Sequence, residues 1–125
     1  MVNEIKNLQD FTEALGDDKT GIVVIDFFGD WCPPCKMIAP FYAQLAEKYP
    51  NIAFHKINCD NPNVKDIVDT CEIRSLPTFC FFSGGIYIDR VIGANKQTLE
   101  DIIKQLNTTT KFDDVPEIEI EEKSN

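Results

Sequence analysis

Cys32 and Cys35 stand two residues apart in Trp31-Cys32-Pro33-Pro34-Cys35-Lys36. A disulfide is opened by a thiolate rather than a thiol, so a working cysteine needs a lowered pKa. The flanking residues supply a means. Ile22-Val23-Val24-Ile25-Asp26-Phe27-Phe28 is a β-branched and aromatic run that reads as a strand buried on both faces. The proline-led stretch after Cys32 reads as a helix, because proline is tolerated in a first turn. Cys32 then falls at a helix N-terminus, where the macrodipole and unpaired amides favour negative charge. Cys35 lies one turn on, with its amide placed to donate to the Cys32 sulfur and its own sulfur in bonding range. Such a pair can open a disulfide with Cys32 and release the product with Cys35. The alternative is two packed, inert cysteines; placement at a strand end and helix start argues against it.

Asp26 is the second group with chemical potential. A carboxylate inside an apolar strand pays for its charged form, so its pKa should rise; at an exposed strand end it would not. The remaining cysteines, Cys59, Cys71 and Cys80, are dispersed, and five cannot all pair internally. A two-pair zinc site needs a second close pair, and there is none. His55, between Phe54 and Lys56, has no neighbouring ligands and reads as an ordinary strand residue, so no metal is expected. Cys80, among Phe79, Phe81 and Phe82, reads as a small buried hydrophobe. Cys71, four residues before Ser75, falls near the expected substrate face, as inert packing or as a regulatory thiol. Cys59 has no assigned place.

The elements that must position these residues follow from pattern. Asn3–Lys6 can be a short edge strand. Asn7 or Asp10 then opens a helix to Leu15 with Leu8, Phe11, Ala14 and Leu15 on one face. The polar turn 16–21 leads into the strand 22–28. A helix follows over roughly Pro33–Tyr49, which Pro40 should kink. Ile52–Asn58 is the next strand, and a short helix ends near Cys71. Thr78–Phe82 and Ile86–Ile92 form a hairpin through Ser83-Gly84-Gly85. The last helix covers about Lys96–Leu106, with Leu99, Ile102, Ile103 and Leu106 inward. The order β-α-β-α-β-α-β-β-α predicts an α/β fold: a central mixed sheet, parallel at first and closed by an antiparallel hairpin, with helices on both faces.

Composition bounds the function. The chain has 125 residues and 43% apolar content, which suits one folded domain. A net charge of −9 makes nucleic-acid phosphates and anionic membranes poor partners. No run approaches the ~18 apolar residues of a membrane span. The N-terminal residues have no signal-peptide character, which points to a cytosolic protein. Residues 111–125 carry six carboxylates against two lysines, a net −4. The domain is therefore expected to span 1–107, followed by an acidic, mobile tail over 108–125.

Several segments resemble the thioredoxin family: Val24-Ile25-Asp26-Phe27, Trp31-Cys32-Pro33-Pro34-Cys35-Lys36-Met37, Lys56-Ile57-Asn58, Leu76-Pro77-Thr78-Phe79 and Gly93-Ala94-Asn95-Lys96. They occur in order, at the family's spacings, over roughly residues 3–107. Val2–Leu15 and Gly93–Leu99 are most similar to the cytosolic eukaryotic members. The resemblance implies the thioredoxin fold and a monomeric protein-disulfide reductase. It implies that Asp26 lies behind the cysteine pair and moves the proton of Cys35. Lys56 would be its neighbour across the sheet; the alternative is a plain surface lysine. Pro77 matches the family's cis-proline, which would leave the Leu76 backbone free to pair with an extended substrate. Trp31, Pro33, Pro34, Leu76, Pro77, Gly93 and Ala94 would form the substrate groove.

The resemblance also implies that the protein binds no cofactor and receives electrons from NADPH through thioredoxin reductase. Implied targets are peroxiredoxins, ribonucleotide reductase and methionine sulfoxide reductase. Pro33 departs from the glycine most common in the family, which bears on substrate range and potential. The Pro-Pro pair is also similar to tryparedoxins and nucleoredoxins, whose domains are longer. A dithiol relay of that kind, or a redox-inactive binding module on the same fold, are the alternatives.

Overall fold

The computed structural model describes residues 1–16 and 21–108. The expected acidic tail, apart from Thr108, lies outside the described residues. The elements run β1 (Val2–Glu4), α1 (Leu8–Leu15), β2 (Ile22–Phe28), α2 (Pro33–Lys48), β3 (Ala53–Asn58), a 3-10 turn (Pro62–Val64), α3 (Lys65–Thr70), β4 (Thr78–Ser83), β5 (Ile86–Ile92) and α4 (Lys96–Thr108). This is the expected order. The edge strand begins one residue earlier than expected and ends at Glu4. The last helix continues to Thr108.

The five strands lie in the order β1-β3-β2-β4-β5. β1 and β2 both pair in parallel with β3, while β4 pairs antiparallel with β2 and β5 antiparallel with β4. β2 is therefore central and covered on both faces, which is why it has no apolar–polar alternation. Val24, Phe54, Phe79, Phe81 and Val91 bury one face under Ile38, Tyr42 and Leu45 of α2 and Leu99 and Ile103 of α4. Val23, Ile25, Phe27, Ile57, Cys80 and Phe82 bury the other under Ala14 of α1 and Ile67 of α3, with Phe11, Leu15 and Cys59 partly buried against them. Cys80 is fully buried, as its aromatic neighbours suggested.

One expectation for α1 fails. Leu8 is 60% exposed and joins neither core layer. It sits in the helix's first turn, which contributes nothing to the apolar layer; the burial falls to Phe11, Ala14 and Leu15. Asn7 rather than Asp10 caps the helix: its Oδ1 accepts the Asp10 amide at 2.8 Å, and Asp10 Oδ2 accepts the Lys6 amide at 3.0 Å.

α2 is the element that carries the chemistry, and it is fixed to the sheet from within. It runs unbroken past Pro40. The buried Tyr42 hydroxyl donates to the His55 carbonyl at 2.7 Å, with the Val24 carbonyl sharing that proton at 3.2 Å. One side chain thus ties α2 to both β2 and β3, behind the site.

Candidate active site

Cys32 is the N-cap of α2, with extended backbone at φ −127° and ψ 94°, and Pro33 and Pro34 open the helix. The Cys35 amide donates to Cys32 Sγ at 3.2 Å, and the Lys36 amide donates to the Cys32 carbonyl at 3.1 Å. The two sulfurs are bonded at 2.08 Å, with the Cα atoms 5.2 Å apart. The same amide that contacts Cys32 Sγ in the disulfide would stabilise its thiolate after reduction. Pro33 and Pro34 have no amide hydrogen, so Cys35 supplies the first donor of the turn.

Asp26 and Lys56 face each other across the β2–β3 ladder, where they are register partners. Asp26 is 4% exposed and its Oδ1 has no hydrogen-bond partner among the described residues. Burial pushes its carboxyl from 3.8 up to about 7, against the opposing pull of the Lys56 ammonium. Lys56 is half-buried and extends over the Phe28 ring, 5.7 Å from its centre. A cavity of about 190 Å³ brings Asp26, Lys56 and Cys35 together, walled by Phe28, Asp30 and Lys36. This is room for a few water molecules between a carboxyl that titrates near neutrality and the inner sulfur.

The outer face is apolar and open. Trp31 is 91% exposed, on the junction loop and outside the core, with the Lys36 ammonium 5.8 Å from its ring centre. Pro33 and Pro34 are exposed beside it. The Leu76-Pro77 peptide bond is cis. The Gly93 amide donates to the Pro77 carbonyl at 2.8 Å, which joins the Gly93-Ala94 turn to the proline. Gly29 is the close approach that holds the two sides together. A Cβ there would meet Leu76 Cδ1 at 3.0 Å and Asp60 Oδ2 at 3.4 Å. Met37 and Ile92 are also exposed apolar residues and were not singled out from sequence.

The other cysteines lie apart. Cys71 ends α3, where its carbonyl accepts Arg90 Nη2 at 2.6 Å. It lines a separate cavity with Phe11, Leu15, Phe82, Tyr87 and Arg90 rather than the one behind the disulfide. Burial raises its thiol pKa and pushes those of Cys59 and Cys80 to about 12. None is poised as a nucleophile at neutral pH. Among the described residues no cluster of His, Cys, Asp or Glu is grouped to hold a metal ion. Sequence reasoning passed over Asp30, Lys36 and Asp60, whose only signal was their nearness to the cysteine motif and to Asn58.

The family model described as Thioredoxin matches residues 2–106. Thioredoxin-like protein R548 of Acanthamoeba polyphaga mimivirus is 56% identical over 102 residues, covering 82% of this chain and 74% of that protein. Human thioredoxin is 42% identical over 106 residues, 85% of this chain and 99% of its own length. Among solved structures, a poplar thioredoxin h superimposes with a TM-score of 0.78 at 34% identity, over 84% of this chain and 95% of the other. The oxidised mitochondrial thioredoxin 3 of Saccharomyces cerevisiae does so at 0.76 and 36% identity, over 83% and 94%.

Proposed function

The chain belongs to the thioredoxin family and is a protein-disulfide oxidoreductase, and from that premise we propose the division of labour within its site. Cys32 is the attacking thiol and Cys35 the resolving one. The observation that carries this is the asymmetry of the pair: the Cys35 amide points at Cys32 Sγ, so the helix start favours a thiolate on Cys32.

The cycle balances as thiol–disulfide exchange. The Cys32 thiolate attacks one sulfur of a target disulfide; that S–S bond breaks, and the target's second sulfur leaves as a thiolate. Cys35 then gives its proton to Asp26 through the shared cavity and attacks Cys32 Sγ. The mixed disulfide breaks, the Cys32–Cys35 bond forms, and the target leaves with both sulfurs reduced after taking up two protons. A carboxyl that titrates near 7 suits this transfer, because it can accept and return the proton at neutral pH. Lys56 biases Asp26 toward its charged form. Leu76, Pro77, Gly93 and Ala94, with Trp31, Pro33 and Pro34, form the groove in which an extended target segment lies.

The protein works without a bound cofactor. NADPH supplies the two electrons through thioredoxin reductase, and the targets include peroxiredoxins, ribonucleotide reductase and methionine sulfoxide reductase. A solved thioredoxin-fold neighbour at TM-score 0.75 and 35% identity comes from work on thiol resolution in a yeast mitochondrial 1-Cys peroxiredoxin, which supports that target class. We assign the chain to the cytoplasm as a monomer with a Cys-Pro-Pro-Cys centre; the similarity of residues 2–15 and 93–99 to cytosolic eukaryotic members supports this. No helix among the described residues is long and apolar enough to cross a membrane.

The decisive assay is insulin reduction coupled to thioredoxin reductase and NADPH. Turnover that requires both is the expected result. Turnover only with another small dithiol as donor would support the relay alternative. No turnover with any donor would leave a binding module.

A further inference from the structure

Three residues around the loop before Cys32 close a ring of hydrogen bonds. The Asp30 amide donates to Asp60 Oδ2 at 2.8 Å. The Asp60 amide donates to Asn58 Oδ1 at 3.0 Å. The Asn58 side-chain amide, through Nδ2, donates to Asp30 Oδ1 at 2.9 Å. Each residue gives one bond and takes one. Beside the ring, the Cys59 amide donates to the Phe28 carbonyl at 2.8 Å and carries the β2–β3 contact beyond the strand ends. Gly29 fits between Asp60 and Leu76 on the other flank. Residues 28–30 are thus gripped on both sides, directly ahead of Trp31 and Cys32.

We propose that Asp30, Asn58 and Asp60 are positioning residues of disulfide reduction: their ring pins the junction loop to the end of β3, so that Trp31 faces the target and Cys32 stays on the helix N-terminus. They act through the loop and make no bond to a reacting sulfur. Asn58 is the member that cannot be replaced by an isostere of one kind. It must accept from a backbone amide and donate to a carboxylate, and the side-chain amide does both at once from two different atoms. Aspartate at 58 keeps the acceptor, loses the donor and sets a third carboxylate beside two others.

The inference rests on the proposed dithiol cycle, and its test separates the two. Wild type, Asn58→Ala, Asn58→Asp and the exchange Asp30→Asn/Asn58→Asp are compared in the coupled assay at varied insulin concentration. The exchange keeps the net charge and the three bonds, because the new amide at 30 donates to the carboxylate at 58, which still accepts from residue 60. Both single variants should raise KM about three- to tenfold with kcat little changed, and the exchange should return KM to within about twofold of wild type. Trp31 is the only tryptophan. Its fluorescence anisotropy, read where urea titration shows each variant fully folded, should fall in the single variants and recover in the exchange, so that the fall reports the loop and not global unfolding. An unchanged KM in Asn58→Ala, an effect of Asn58→Asp alone, or an exchange as impaired as Asn58→Asp each overturns the ring. An inert wild type overturns the dithiol cycle, and the ring's role with it.

Discussion

At the scale of single residues, function turns on three groups whose environments differ: a sulfur on a helix start, a second sulfur within the first turn, and a carboxyl buried behind both. Cys35→Ser should trap target proteins as mixed disulfides, since nothing then resolves the Cys32 adduct, while Cys32→Ser should trap almost none. Non-reducing gels of a lysate passed over each variant would show this; equal trapping by both would overturn the assignment. Asp26 makes a prediction about pH. The folded carboxyl keeps its proton to about pH 7, and the unfolded one only to about 3.8. Folding takes up a proton between those values, so the stability linked to Asp26 is intact below 3.8 and lost as pH climbs through about 7. A displacement of roughly three pH units at ~1.4 kcal/mol each puts the loss on the order of 4 kcal/mol. Asp26→Asn should therefore be more stable than wild type by a few kcal/mol at pH 8 and by little at pH 4, while reducing disulfides several-fold more slowly. Urea unfolding at both pH values checks it; a gap independent of pH would mean that the carboxyl has the same pKa folded as unfolded and is not buried in this way.

At the scale of elements, the N-terminus of α2 sets the redox couple. Both prolines remove amide donors from its first turn and leave the Cys35 amide on Cys32 Sγ. Fewer donors disfavour the thiolate, and a stiff Pro-Pro turn favours the closed disulfide because the open chain has less freedom to gain. Both effects make the disulfide harder to reduce. Pro33→Gly should then move the potential toward oxidising values by about 10–30 mV, where 30 mV corresponds to ~1.4 kcal/mol for two electrons. Equilibration against glutathione measures it, and a shift in the reducing direction would show that Pro33 serves substrate fit instead. The same element shows how much was legible in advance. Its start was readable because proline and the strand before it are strong local signals. Its continuation past Pro40 was read from the apolar pattern as well, but what holds it to the sheet, the packing and the Tyr42 bond to β3, was not.

At the scale of the whole molecule, the described residues contain a five-stranded sheet, two core layers and the site. The family match ends at 106, and human thioredoxin aligns over 99% of its own length without the acidic extension. A chain stopped after Thr109 should accordingly keep its turnover within about twofold, because the family match already spans every residue of the site. Reductase-coupled kinetics test this, and a several-fold rise in the reductase's apparent KM would instead make the tail a docking element. The truncated chain also loses the −4 of residues 111–125, so any change should be largest at low salt, where charge steers association most strongly.

The sequence by itself determined the chemistry and the order of the elements. Two cysteines at a strand–helix junction and an acid in an apolar strand are local facts, and local facts survive without coordinates. The register of β2 on β3 was different: pairing Asp26 with Lys56 depends on residues thirty apart, and only the resemblance to known proteins anticipated it. Leu8, read on the apolar face of α1, stays exposed because helix periodicity shows a face but not what covers it. The Asp30–Asn58–Asp60 ring was invisible in the sequence for the same reason. Its bonds join a loop after β2 to the end of β3, and a hydrogen bond's length and direction exist only once both segments are fixed in space.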